Sequence, residues 1–199
     1  MRTIDYLGAL PLLSLAGLDE DDDMFAPVTR SAKRRAVWLG INLFTAFLAA
    51  WVIGIFAATI EQVVALAVLM PIVASMGGIA GSQTLMLVIR GIALNQIGTT
   101  NARWLLWKEL AVGSLNGILW ACVVAAITGF WFQSQSLGLL IGVALVINLI
   151  VAALAGATIP LTLKKMNIDP AIAGGVILTT VTDVIGFFFF LGLATVFLI

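Results

Sequence analysis

The chain has 199 residues, 62% of them hydrophobic and 10% charged, against about 25% charged in an ordinary soluble domain. That composition excludes a water-soluble globular protein, and a formal net charge of zero provides no bulk field to attract nucleic acid. One cysteine, Cys122, and no histidine exclude a disulfide framework, a structural zinc site and a haem site, which leaves oxygen as the ligand for any metal.

Residues 1–35 differ from the rest. A short apolar run broken by Pro11 is followed by an acidic cluster, Asp19 to Asp23, and then by Arg30, Lys33, Arg34 and Arg35. A secretory signal would lead into a mature domain rather than into acids and then bases. The segment reads as a cytoplasmic, interfacial or partly disordered leader. Residues 36–199 read as one transmembrane domain of five helices, because the apolar runs exceed the ~18 residues needed to cross hydrocarbon. The spans are expected over about 36–59, 62–94, 104–132, 137–163 and 171–199. The second is interrupted by Pro71, Gly77, Gly78 and Gly81. No internal repeat or low-complexity tract is apparent.

Charge placement orients these spans. With the N-terminus cytoplasmic, Arg30, Lys33, Arg34, Arg35, Arg90, Arg103, Lys108, Lys164 and Lys165 all fall on the cytoplasmic side, and the opposite connections "ATIEQ" and "FWFQSQS" contain no basic residue. This is the positive-inside pattern. An odd number of spans then places the C-terminus outside.

Outside the leader the acids are Glu61, Glu109, Asp169 and Asp183. Glu61 falls at an outer loop, and Glu109 and Asp169 fall near the cytoplasmic face. Asp183 is deep: at ~1.5 Å rise per residue it lies roughly 20 Å beyond Pro170 along the fifth helix. A charge at that depth costs about 3 kcal/mol on insertion scales. No Lys or Arg lies in the middle of any span, so the compensation is a cation, a water-filled pore or protonation. At helical spacing Asp183 shares a stripe with Gly175 or Val176, Thr179, and Gly186 or Phe187. The alternative is plain helix packing through these small residues, with an uncharged Asp183 hydrogen-bonded to Asn148 or Asn116.

The stretch "MPIVASMGGIAGSQT", residues 70–84, carries the same ambiguity. Pro71 removes a backbone donor and the glycines let the chain leave helical geometry, so carbonyl oxygens could line an ion site. Alternatively Gly77 and Gly81, four apart, allow close helix packing. Ser82 and Gln83 add side-chain oxygens. Asn42, Asn116 and Asn148 are expected to form interhelical hydrogen bonds, and Cys122 to behave as a buried small hydrophobe.

With "MPIVASMGGIAGSQTLMLVIRGIAL" in the second span and "DPAIAGGVILTTVTDVIGFFFFLGLA" in the fifth, residues 33–199 resemble the MgtE-type magnesium channels. The resemblance implies a homodimer with a pore at the subunit interface, lined by the second and fifth helices, with Asp183 of each subunit binding magnesium. It places Ser82 and Gly78 beside the ion and Asp169 as an acid at the cytoplasmic mouth. Together with the stripe and spacing above, it gives Asp183, Gly78, Ser82 and Thr179 as the metal site and Gly77, Gly81, Gly175 and Gly186 as pore lining. Ile79 stands where the family has an asparagine in "GGNxG", and Gly174 and Gly175 stand where an Asn-Pro pair is common; both positions bear on selectivity and gating. The soluble N-terminal and CBS domains usual in the family do not fit in the short leader, so the chain reads as a membrane-domain piece or as a short member without that sensor.

The expected function is passive conduction of a hydrated divalent cation, magnesium or else manganese, cobalt or calcium, across a bacterial inner membrane by a homodimer. Magnesium dehydrates reluctantly and favours octahedral geometry. Nothing in the sequence points to an enzyme or to a nucleotide-driven pump. A proton-coupled secondary transporter with Asp183 as proton carrier is the rival reading, and a non-transporting scaffold is a third.

Overall fold

A computed structural model describes residues 27–98 and 101–199. The leader reading for residues 1–26 lies outside the described residues. Every described element is helical: α1 (Val28–Ile55), α2 (Ala57–Gln62), α3 (Ala65–Ala93), α4 (Ala102–Trp131), α5 (Gln135–Lys165) and α6 (Pro170–Phe197). All but the short α2 are long and apolar enough to cross a membrane. Such runs form helices because hydrocarbon offers no partner for backbone N–H and C=O groups, and a helix satisfies them within the segment. The five expected spans correspond to α1, α3, α4, α5 and α6. The first helix starts earlier than the span read from sequence, at Val28, so Arg30, Lys33 and Arg35 extend it. The whole "ATIEQ" connection lies within the short helix α2.

The helix ends follow from local chemistry. Asn95, Gln133 and Asn167 adopt positive φ (52°, 50° and 57°) just past α3, α4 and α5. In each case the next residue's N–H bonds back five positions: Gln96 to Gly91, Ser134 to Gly129 and Ile168 to Leu163. These are Schellman closures built without glycine, and asparagine tolerates the left-handed region better than most residues. Helix α6 starts with Asp169 accepting a hydrogen bond from the Ala171 N–H at 2.8 Å and Pro170 in the first turn, where its missing donor costs nothing.

Helix α5 is the most enclosed and packs on α3, α4 and α6, whereas α1 leans chiefly on α6 and is the most exposed. Close approaches fix directions. Gly113 meets Ala153 and Gly117 meets Val146, so α4 and α5 are antiparallel; Gly81 meets Leu178 and Gly174 meets Leu85, so α3 and α6 are antiparallel. Helix α1 runs parallel to α6, with Trp38 beside Gly175 and Phe56 beside Phe188. One end of the bundle therefore gathers Arg30, Lys33, Arg35, Arg90, Arg103, Lys108, Lys164 and Lys165. Large apolar side chains cover the outside, among them Phe44, Trp51, Leu115 and Phe130, a surface suited to lipid rather than water.

Two apolar clusters fill the interior. One joins Leu66, Leu69 and Val73 to Ile141, Leu145, Phe190 and Leu191; the other joins Leu85, Ile89, Ala155 and Leu178 nearer the basic end. Between them lies a polar layer in which Asn148 and Thr182 are fully buried.

Candidate functional site

Asn148 and Thr182 of this layer stay enclosed, and the candidate site lies beside them on one face of the α3 and α6 pair. There an open groove of about 520 Å³ is lined by Ser75, Gly78, Ser82 and Gln83 from α3 and by Thr179 and Asp183 from α6. A second recess of about 270 Å³ shares Ser82, Met86 and Thr179 with it and adds Gly175, Val176 and, from α1, Trp38 and Asn42. Together they form a trough running from Asp183 toward the basic end. A recess of about 470 Å³ elsewhere, between α5 and α6, is walled by Leu139, Val143, Phe197 and other apolar residues, with Ser136 as its polar side chain and no charged group in its lining.

Asp183 is half-buried, and no described residue forms a hydrogen bond or ion pair with it. The packing alternative, in which Asn148 or Asn116 would satisfy this acid, does not hold. Asn148 Nδ2 donates instead to the Val73 carbonyl at 2.9 Å, and its Oδ1 is buried without a partner. Asn148 is thus interhelical as expected. Asn42 is not, since it bonds the Trp38 carbonyl one turn back on its own helix. Asn116 is exposed on α4, as is Cys122, which is not the buried hydrophobe expected. The Thr179 hydroxyl lies 3.1 Å from both the Gly175 and Val176 carbonyls. Donating there leaves its oxygen free to accept from a water in the groove.

The reading of the second span as an interrupted helix is corrected: α3 is continuous from Ala65 to Ala93 with Pro71 inside it. The glycines stay helical because the space beside them is used for packing or left open, so main-chain carbonyls remain in the helical ladder. A Cβ on Gly77 would collide with the Asn148 amide, one on Gly81 would come within 2.8 Å of Leu178, and one on Gly186 within 2.8 Å of Asn148 Nδ2. Those three glycines face neighbouring helices rather than the groove. Gly78 and Gly175 face the trough, where a Cβ would meet nothing within 4 Å. The structure thus brings Asp183, Gly78, Ser82 and Thr179 together, with Gly175 alongside. Asp169 is spent on capping α6 and lies outside the groove lining. Ile79, at the position that departs from the family pattern, is on the groove and 58% exposed.

Sequence reasoning missed two features. The part of α1 in the recess was not legible, because Trp38 and Asn42 sit in a helix with no other sign of a polar face. The burial of Glu109 was also missed: it is 3% exposed and accepts from the Thr84 hydroxyl at 2.9 Å and from Lys108 Nζ at 3.2 Å. The only available signal was the pair Lys108-Glu109 set four residues before a glycine.

Comparison with known proteins gives a consistent picture. A family model described as "MgtE: Divalent cation transporter" matches residues 70–193. The magnesium transporter MgtE of Bacillus subtilis is 32% identical over 90% of this chain and 42% of its own length. That of Enterococcus faecalis is 29% identical over 98% and 43%, and that of Thermus thermophilus is 30% identical over 82% and 36%. The chain spans less than half the length of these curated relatives.

Proposed function

This chain belongs to the MgtE family of divalent cation transporters, and we propose that it conducts hydrated magnesium passively across a bacterial cytoplasmic membrane. In this reading two copies meet face to face across the α3 and α6 grooves, and the paired troughs enclose one passage. The two Asp183 carboxylates together balance one divalent ion. Gly78 and Gly175 leave room for its water shell, and Ser82 and Thr179 accept hydrogen bonds from those waters. The basic end faces the cytoplasm, as the positive-inside bias requires. Residues 36–199 act as one conducting domain, and Asp169 and the Ile79 position bear on the cytoplasmic mouth and on selectivity. Manganese, cobalt and calcium are competitors for the same oxygen-lined path.

The observation that carries this reading is Asp183 itself, a carboxylate without a partner among the described residues, on a groove that also carries the hydroxyls of Ser75, Ser82 and Thr179. An acid at such depth is offset when a cation visits it. A hydrated ion fits because helix α3 presents side chains and small residues rather than freed carbonyls.

The test is magnesium flux into liposomes reconstituted with the protein. Asp183→Asn is expected to reduce flux at least roughly tenfold, since the Coulomb attraction for a divalent ion is lost in a site of reduced dielectric. Wild-type flux in that variant sinks the assignment. A proton carrier built on the same acid would instead show a proton flux coupled to a solute and insensitive to divalent ions.

A further inference from the structure

We propose that Glu109 is a positioning residue for the ion site: through Thr84 it sets the rotation of α3 that turns Gly78 and Ser82 toward Asp183. The inference rests on the conduction reading above and deepens it.

Glu109 lies on α4, a helix that packs on α5 and contributes no residue to the groove lining. Helices α3 and α4 each pack mainly on α5 rather than on one another. They nevertheless share a buried hydrogen bond, from the Thr84 hydroxyl to Glu109 Oε2 at 2.9 Å. The gap that permits it is in α5. A Cβ on Gly156 would come within 2.9 Å of the Thr84 Cβ and 2.6 Å of the Gly81 carbonyl oxygen, so any larger residue there would push α3 away from the bundle. Lys108, about half exposed, reaches back to the other carboxylate oxygen at 3.2 Å and offsets part of the cost of burying the charge. An apolar side chain in the same place would pack without that cost, so a buried acid there calls for a role beyond filling space.

Thr84 and Ser82 are two residues apart and therefore roughly 200° apart around the helix. Holding Thr84 on the back of α3 fixes what the front presents. Gly77, Gly81, Thr84 and Val88 make the buried stripe, while Ser75, Gly78, Ser82 and Met86 make the groove. Leu66, Leu69, Val73, Leu85 and Ile89 hold α3 by apolar contacts, which are not directional; the bond from Thr84 adds a directional constraint on the same turn as Gly81.

Two measurements test this. In magnesium flux assays, Thr84→Val and Glu109→Leu are expected to raise the half-saturating magnesium concentration roughly fivefold by misplacing the groove face. Thr84→Ser and Glu109→Gln, which keep the donor and the acceptor, stay near wild type. The second measurement contains no transport step: Ser82→Cys in a Cys122→Ala background is labelled with a polar maleimide in native membranes. Adding Thr84→Val should slow the labelling roughly fivefold, and adding Thr84→Ser should not. Unchanged labelling and unchanged half-saturation in Thr84→Val overturn the proposal, as does Glu109→Gln behaving like Glu109→Leu. Because labelling is independent of flux, full activity in Asp183→Asn would reject the conduction reading while leaving the rotation test intact.

Discussion

The contact between α4 and α5 and the trough between α3 and α6 are built from the same small residue to opposite ends. Along α4 and α5, Gly113 and Gly138 lie where a Cβ would strike the opposing helix, and one on Gly142 would sit tightly at 3.3 Å from the Ala125 Cβ; at Gly138 the obstacle is the Ala125 carbonyl oxygen at 2.5 Å. In the trough, Gly78 and Gly175 face nothing within 4 Å. Glycine in the first region brings backbones together, and in the second it keeps volume free. A run of small residues in a membrane helix therefore marks neither packing nor a passage until it is known what the missing side chain would touch. Lipid tails supply no hydrophobic drive for helices to associate, so close packing must supply it, and the closed contact is where most of the stability is expected.

Substitutions at these glycines put that contrast to the test. The largest effect is expected at Gly138→Val on the closed side. Its obstacles are backbone atoms that cannot move aside, so a loss of about 3 kcal/mol or more is expected, seen as failure to yield a monodisperse peak on size-exclusion chromatography. The adjacent pair Gly77 and Gly78 separates the two faces most directly. Gly77→Ala drives a methyl into the enclosed Asn148 amide and should lower stability by about 1–2 kcal/mol, read as a fall in thermal midpoint. Gly78→Ala should leave that midpoint unchanged or higher while lowering magnesium flux. Equal midpoints for the two variants would erase the distinction between the faces. The smallest effect is expected at Gly175→Ala, where helix propensity alone adds up to about 1 kcal/mol of stability. A fall in its thermal midpoint would show that the trough is filled in the assembled protein.

Much of the fold was legible in the sequence because hydrocarbon thickness and backbone satisfaction leave few choices for long apolar runs. The five spans and the gathering of basic residues at one end both follow from that constraint. Asp183 was legible for a related reason, as a lone acid far from either end of its helix. Which glycine faces which way was not. Spacing treats Gly77 and Gly78 as equals, and what separates them is Asn148, about seventy positions later in the chain. The continuity of α3 was hidden for the same reason: Pro71 and the glycines permit a break, and only the neighbours that fill or leave the space beside them decide against it. Glu109 looked like one more charge near a helix end, because its partner Thr84 lies 25 positions earlier on another helix.

The lone thiol of Cys122 projects from the outer surface of α4, the helix that rests on α5 and stands apart from the trough. A nitroxide attached there would need no engineered cysteine and would ride on the rigid slab without touching the permeating ion. Pulsed electron paramagnetic resonance on such a sample would return one narrow inter-spin distance if two copies pair about a symmetry axis, and no dipolar modulation if they diffuse singly in the bilayer.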